Sequence, residues 1–284
     1  MSKVWILAKR NRKEILRDPL SLVFHFIFPI FMLLLFFCFL FGKTEIEIKI
    51  QVSMFHPYKL IPAVAIFAHS FLSLFSGMMI AKDRSESFFS RLCISPLTQY
   101  QFFLGYFLPL VEIAFFQSIL VYGLGGAMSL LTPITFHLFS IDVIASFIVG
   151  FVFSSFFISF GLCIGLLVSD KAVGGIASVG INLMAIGSGM FMPLATIPLF
   201  KQIVQFLPFY HMVTVTQDIA LGFYPTSLTS FQSEIEYYET FGIPVLYNAL
   251  DIWWVHGCIA IFYMVILFGF TWIMFYRSTR FHQK

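Results

Sequence analysis

LIPAVAIFAHSFLSLFSGMMIA, residues 60–81, runs without a single Asp, Glu, Lys or Arg and gives way at once to KDRSESFFSR, residues 82–91. An apolar run of about 20 residues, at about 1.5 Å each, crosses a hydrocarbon core of about 30 Å. Backbone groups in that core must be paired within the segment, so the run is predicted to be helical. The island that follows, ending at Pro96, is compact, charged and aromatic. Held at a membrane face, it is a candidate docking surface.

The same reading extends along the chain. Of 284 residues, 59% are hydrophobic and 11% charged, with a mean hydropathy of +0.91. A soluble domain carries roughly 25% charged residues, so this chain is read as an all-α integral membrane protein. Six spans are predicted, near Leu20–Phe41, Leu60–Ala81, Gln101–Met128, His137–Val168, Ala172–Pro193 and Ile252–Tyr276. No basic run is interleaved with aromatics, which argues against nucleic-acid binding. Cys38, Cys93, Cys163 and Cys258 have neither paired nor CxxC spacing and read as reduced thiols. The first apolar run follows about twenty mixed polar residues and reads as a retained anchor rather than a cleaved signal.

Orientation follows the distribution of Lys and Arg. With both termini inside, the cytoplasmic side holds 13 of the 17 cations, and only Lys43, Lys49, Lys59 and Lys201 lie outside. Residues 2–19 mix apolar and cationic side chains, as expected of an interfacial helix drawn to anionic lipid. An ordinary charged flank that sets topology is the alternative. The external stretch 194–251 contains semi-apolar runs broken by Pro198, Pro208 and Pro225. Re-entrant helices between the fifth and sixth spans are expected there, with a folded external cap as the alternative.

Gly42-Lys43-Thr44 looks like the end of a P-loop, but the glycine that should open the loop falls at Phe37 in an apolar run. No nucleotide, cofactor or metal site is predicted in this chain, so ATP hydrolysis would have to come from another subunit. Polar groups inside the apolar runs are Glu112, Gln117, Asp142 and Asn182. Such residues are costly in lipid and are candidates for a transport pathway. A carboxyl group hydrogen-bonded between helices is an equal reading of Glu112. Gly150, Gly161 and Gly165 in the fourth span and Gly174, Gly175, Gly180, Gly187 and Gly189 in the fifth suit close helix packing, or a conduit wall that shifts.

Asp83-Arg84, Arg91-Leu92, Ser95-Pro96-Leu97 and Gly105 occur in that order after the second span. Gly189-Met190-Phe191-Met192-Pro193, Pro198 and Leu207-Pro208-Phe209-Tyr210 follow the fifth. Together they resemble the permease subunits of type-2 ABC exporters, with Ser85 standing where that family often has Glu and Ser87 where it often has Gly. The resemblance implies a single permease domain over residues 1–284, with a cytoplasmic coupling helix at 82–96. It implies docking onto a separate ABC ATPase in two copies, which carries ATP and Mg, through Asp83, Arg84, Glu86, Phe88, Phe89, Arg91, Leu92 and Pro96. It also implies a second permease copy, a homodimer in a bacterial plasma membrane, around a central pathway; the candidates for that pathway in this sequence are Glu112, Gln117, Asn182, Gly189 and Pro193. A wall of Phe, Leu and Met suits a drug, lipid or antimicrobial peptide as cargo. A polysaccharide or sodium exporter of the same fold, a non-transporting peptide sensor and a proton-driven transporter are the other readings.

Overall fold

The computed structural model describes residues 3–44, 56–95, 97–188, 203–221 and 253–281, and all regular structure among them is helical. Helix α1 covers Lys3–Arg17. Asp18 ends it and caps the next helix, its carboxylate accepting from the Leu20 N–H ahead of Pro19 at the first helical position. Helix α2, Pro19–Leu40, contains one π-helical turn at Val23–Ile27. The remaining helices are α3 (Pro57–Ser85), α4 (Phe88–Cys93), α5 (Gln99–Ser129), α6 (Ile141–Leu167), α7 (Asp170–Gly187), α8 (Pro208–Leu221) and α9 (Trp253–Phe281).

Local sequence sets several of these starts. Thr98 and Gln101 close a reciprocal capping box at α5. Ser140 caps α6, so residues 137–140 of the predicted fourth span lie before the helix, and Asp142 sits in its first turn, where a carboxylate complements the helix dipole.

Among the described residues, five helices are long and apolar enough to cross a membrane: α2, α3, α5, α6 and residues Trp254–Ser278 of α9. The sequence predicted six. The fifth predicted span corresponds to α7, whose 18 described residues are diluted by Asp170, Lys171, Asn182 and four glycines. Residues 189–193 of that span, like most of the external stretch 194–251, lie outside the described residues.

Helix α3 is the hub. It is buried along nearly its whole length and packs on α5, α6, α7 and α8. By contrast, α2 and α9 keep most of their apolar residues on the outside, as expected of helices that face lipid. Contact between α3 and α6 depends on glycine. A Cβ on Gly161 would collide with the Ser73 carbonyl and the Ser76 hydroxyl, and one on Gly165 with the Gly77 carbonyl. Two helix backbones touch there, which only small residues allow.

Two prolines inside helices open gaps that other helices fill. Proline has no N–H, so the carbonyl four residues earlier loses its donor. For Pro109 that carbonyl belongs to Gly105, and Asn11 of α1 supplies the missing donor through Nδ2 at 2.9 Å. For Pro29 it belongs to His25 in the π-helical turn, where Gln117 of α5 donates through Nε2 at 3.0 Å.

Candidate functional site

The polar island does not form one helix. Lys82–Ser85 are the last turn of α3, and Ser87 turns the chain in the left-handed region at φ 59°. Phe88–Cys93 then make the short α4. Pro96 lies outside the described residues.

Asp83 is fully buried, and its neighbours explain how. Arg10 of α1 grips the carboxylate with both guanidinium nitrogens, Nη1 to Oδ2 and Nη2 to Oδ1, each at 2.6 Å. Tyr106 of α5, itself fully buried, donates its hydroxyl to Oδ2. A bidentate arginine with a third donor is the arrangement that makes a buried carboxylate tolerable. Burial alone would lower the Arg10 pKa, but the hydrogen bonds and charge of Asp83 outweigh it and hold the value above that of a free guanidinium. Glu14 extends the cluster, reaching Arg10 Nη2 at 3.0 Å and Lys82 Nζ at 2.9 Å.

The same surface of α1 is locked onto α5. Gly105 lies under Leu7, whose side chain fills the space a Cβ would need. One turn further, Arg12 pairs with Glu112 at 3.0 Å. Helices α1, α3 and α5 therefore meet in one polar clamp.

Around it lies what a partner can reach. Arg84 extends from the clamp to α6, its Nη1 donating to the carbonyls of Gly165 and Leu166 at 2.7 Å and Val168 at 3.3 Å. A cation on these orphan carbonyls also neutralises the negative end of the helix dipole. Phe88 is half-buried, with the Arg10 guanidinium 4.0 Å above its ring and that of Arg91 at 5.8 Å. Glu86 and Arg91 are exposed. Phe89 points inward, 2% exposed, and meets Phe102 edge-to-face at 4.9 Å. Leu92 packs on the core behind it. Between α4 and the α6–α7 junction lies a cleft of about 330 Å³, lined by Arg84, Ser85, Phe89, Ser90, Ser169 and Asp170 among others.

Of the eight docking residues expected from sequence, Arg84, Glu86, Phe88 and Arg91 thus offer surface. Asp83 and Phe89 do not: their side chains are consumed inside the chain, where they fix the island to α1 and α5.

A model of the ABC-2 type transporter family matches residues 2–221, which span α1 to α8. The chain belongs to that family. It is a permease, a multi-pass membrane component of an ABC transporter, and permeases of this kind work with an ABC ATPase. A search of curated proteins returned no match.

The expected pathway residues of the permease are not brought together. Glu112 is half-exposed and engaged by Arg12. Gln117 is fully buried and spends its amide on the carbonyls of His25 and Ala68, both at 3.0 Å, and on His69 Nδ1 at 3.1 Å. Since Nε2 must donate to the two carbonyls, Oε1 accepts from His69 Nδ1–H. Asn182 lies on the exposed side of α7 among Ile176, Val179, Leu183 and Ile186. Gly189 and Pro193 lie outside the described residues.

His25 and His69 are not among the residues expected of a site, although each interrupts an apolar run and so carries a signal. Neither are Arg10, Asn11 and Tyr106. Nothing local marks those three, because their partners lie 23 to 94 residues away.

Proposed function

We propose that this permease is the membrane half of an ATP-driven exporter, moving a hydrophobic or amphipathic cargo outward by alternating access. In this reading both termini are cytoplasmic, and α7 with the residues after it completes six spans. Helix α8 belongs to a re-entrant external pair. Two permease copies form a homodimer over two ATPase subunits, which bind ATP and Mg.

The observation that carries the proposal is the clamp around Asp83. A docking loop that only sat in solvent would need no buried ion pair. Here the carboxylate at the end of α3 ties the island to α1 and α5, while Arg84 ties it to α6. A force applied at Phe88, Glu86 and Arg91 therefore reaches four helices at once. Phe88 is the apolar anchor of that surface and the charges are its rim, the usual partition of energy in an interface.

The test is co-purification of the full permease with its cognate ATPase, followed by ATP hydrolysis and cargo efflux in lipid vesicles. Phe88→Asp combined with Arg91→Glu is expected to abolish both association and efflux while leaving the permease folded. Unchanged association would refute docking through α4.

A further inference from the structure

We propose that the outward face of α1 is a binding site for the headgroups of anionic phospholipids. It acts through the clamp as the lipid-side anchor of the docking segment. The proposal rests on the permease reading only in setting α1 against a bilayer, and no ATPase enters its test.

Lys9, Lys13 and Arg17 follow one another at four-residue intervals along α1, and all three are exposed. Residues so spaced are neighbours on a helix surface, and like charges there repel. The only acid of α1, Glu14, is turned away from this row to Arg10 and Lys82. The row is therefore a line of three adjacent cations with no internal counter-charge, which an external anion would relieve.

What that anion belongs to follows from the residues beside the row. Trp5, Ile6 and Leu16 are 50%, 61% and 43% exposed on the outward side of α1, while Leu7, Ala8, Asn11 and Ile15 face the bundle. A soluble anion would gain nothing from Trp5 and Leu16. A bilayer surface satisfies both, accepting apolar side chains at the acyl boundary and offering phosphates to the cations. The bundle face of the same helix holds Asn11, and Arg10 at the edge of the row reaches inward to Asp83, so lipid bound outside and the clamp inside share one rigid element of 15 residues.

The experiment is native mass spectrometry of the full-length chain in detergent, titrated with phosphatidylglycerol or phosphatidylcholine. Hydrogen exchange of α1 and α4 is followed in nanodiscs of each lipid. The wild type is expected to bind phosphatidylglycerol the more tightly and to show slower exchange in both helices with it. Each cation removed is expected to cost about fivefold in affinity. Lys9→Gln/Lys13→Gln/Arg17→Gln should lose the preference, whereas Lys9→Arg/Lys13→Arg should keep it. The arginine variant distinguishes a lost charge from a damaged helix. Equal lipid binding by the wild type and the glutamine variant would overturn the proposal. So would full displacement of the lipid by inorganic phosphate, or lipid-dependent protection confined to α1 and absent from α4.

Discussion

Replacing Asn11 by Ala removes the donor that fills the gap left by Pro109. The Gly105 carbonyl is buried under α1, so water does not replace the lost bond, and an unsatisfied buried acceptor costs about 1–3 kcal/mol. Bonds between membrane helices average lower, about 0.6 and at most about 1.7 kcal/mol. A loss of about 1–2 kcal/mol is therefore expected for Asn11→Ala, including the Arg10 contact to Asn11 Oδ1 at 2.9 Å. The useful partner is Pro109→Ala, which restores a backbone N–H four residues after Gly105 and gives the carbonyl a helical donor. In that background Asn11 is largely redundant, so the Asn11→Ala penalty should shrink to about 0.5 kcal/mol. Pro109→Ala changes helix propensity and the unfolded chain as well, but these contributions appear in both arms of a double-mutant cycle and cancel. Unfolding of the purified chain in mixed micelles, followed by helical circular dichroism, supplies the four energies. Additive penalties, with no coupling between positions 11 and 109, would show that Asn11 does not bridge the proline gap.

Three further outcomes follow from the same geometry. Asp83→Asn keeps the size of the side chain but leaves Arg10 facing a neutral group; because Arg10 is 33% exposed and can reach water, the expected cost is about 2–3 kcal/mol, near or below the low end for a broken buried pair. Thermal unfolding should show it, with a smaller loss for Tyr106→Phe, and equal stability of Asp83→Asn and wild type would contradict the clamp. Ser87→Gly should stabilise by about 1 kcal/mol, since Ser87 holds a left-handed conformation that glycine adopts without strain; a lower unfolding temperature would argue against that turn. Gly161→Leu should destabilise by at least about 1–3 kcal/mol through overpacking against the Ser73 carbonyl, whereas Gly175→Ala, where a Cβ meets nothing, should gain up to about 1 kcal/mol; the opposite ranking in the same assay would sink the α3–α6 contact.

The helical class was legible because lipid leaves few options: apolar runs of the right length can only be helices. The position of the polar island was legible for a similar reason, as charge has nowhere else to go. What sequence could not give was direction. Asp83 and Phe89 read as surface because they sit in a polar stretch, yet α3 runs on through Ser85 and turns Asp83 toward α1 and α5, while α4 turns Phe89 onto α5. Gly161 and Gly165 were read as packing or as conduit wall, and their contacts with Ser73 and Gly77 favour packing. Gln117 and Asn182 looked alike as polar residues in apolar runs. One bridges three helices and the other faces outward, a difference set by helical phase and by which neighbours lie opposite. Pro29 and Pro109 were visible as prolines, but the amides that complete them come from other helices.

Helix length explains why the clamp stands where it does. At about 1.5 Å per residue, the 29 residues of α3 and 31 of α5 reach about 43 and 46 Å. Both exceed a hydrocarbon core of about 30 Å, so two to three turns of each must project beyond it. On α5, the part from Glu112 to Ser129 alone covers about 26 Å, close to the core thickness. By this length Glu112 falls near one end of a core-thick stretch of α5 rather than at its middle, which is where a carboxylate paired with Arg12 is cheapest. The projecting turns carry Asp83, Gly105 and Tyr106, and α1 covers them. By helix length the clamp lies beyond one core thickness of α3 and α5, where an ion pair of this kind costs less than it would within lipid. It is also the first rigid body that any partner of α4 encounters. A partner that moves α4 must move α5 with it through Phe89 against Phe102, and α3 as well, because only Glu86 and Ser87 separate the two helices and Asp83 holds the end of α3 against Arg10.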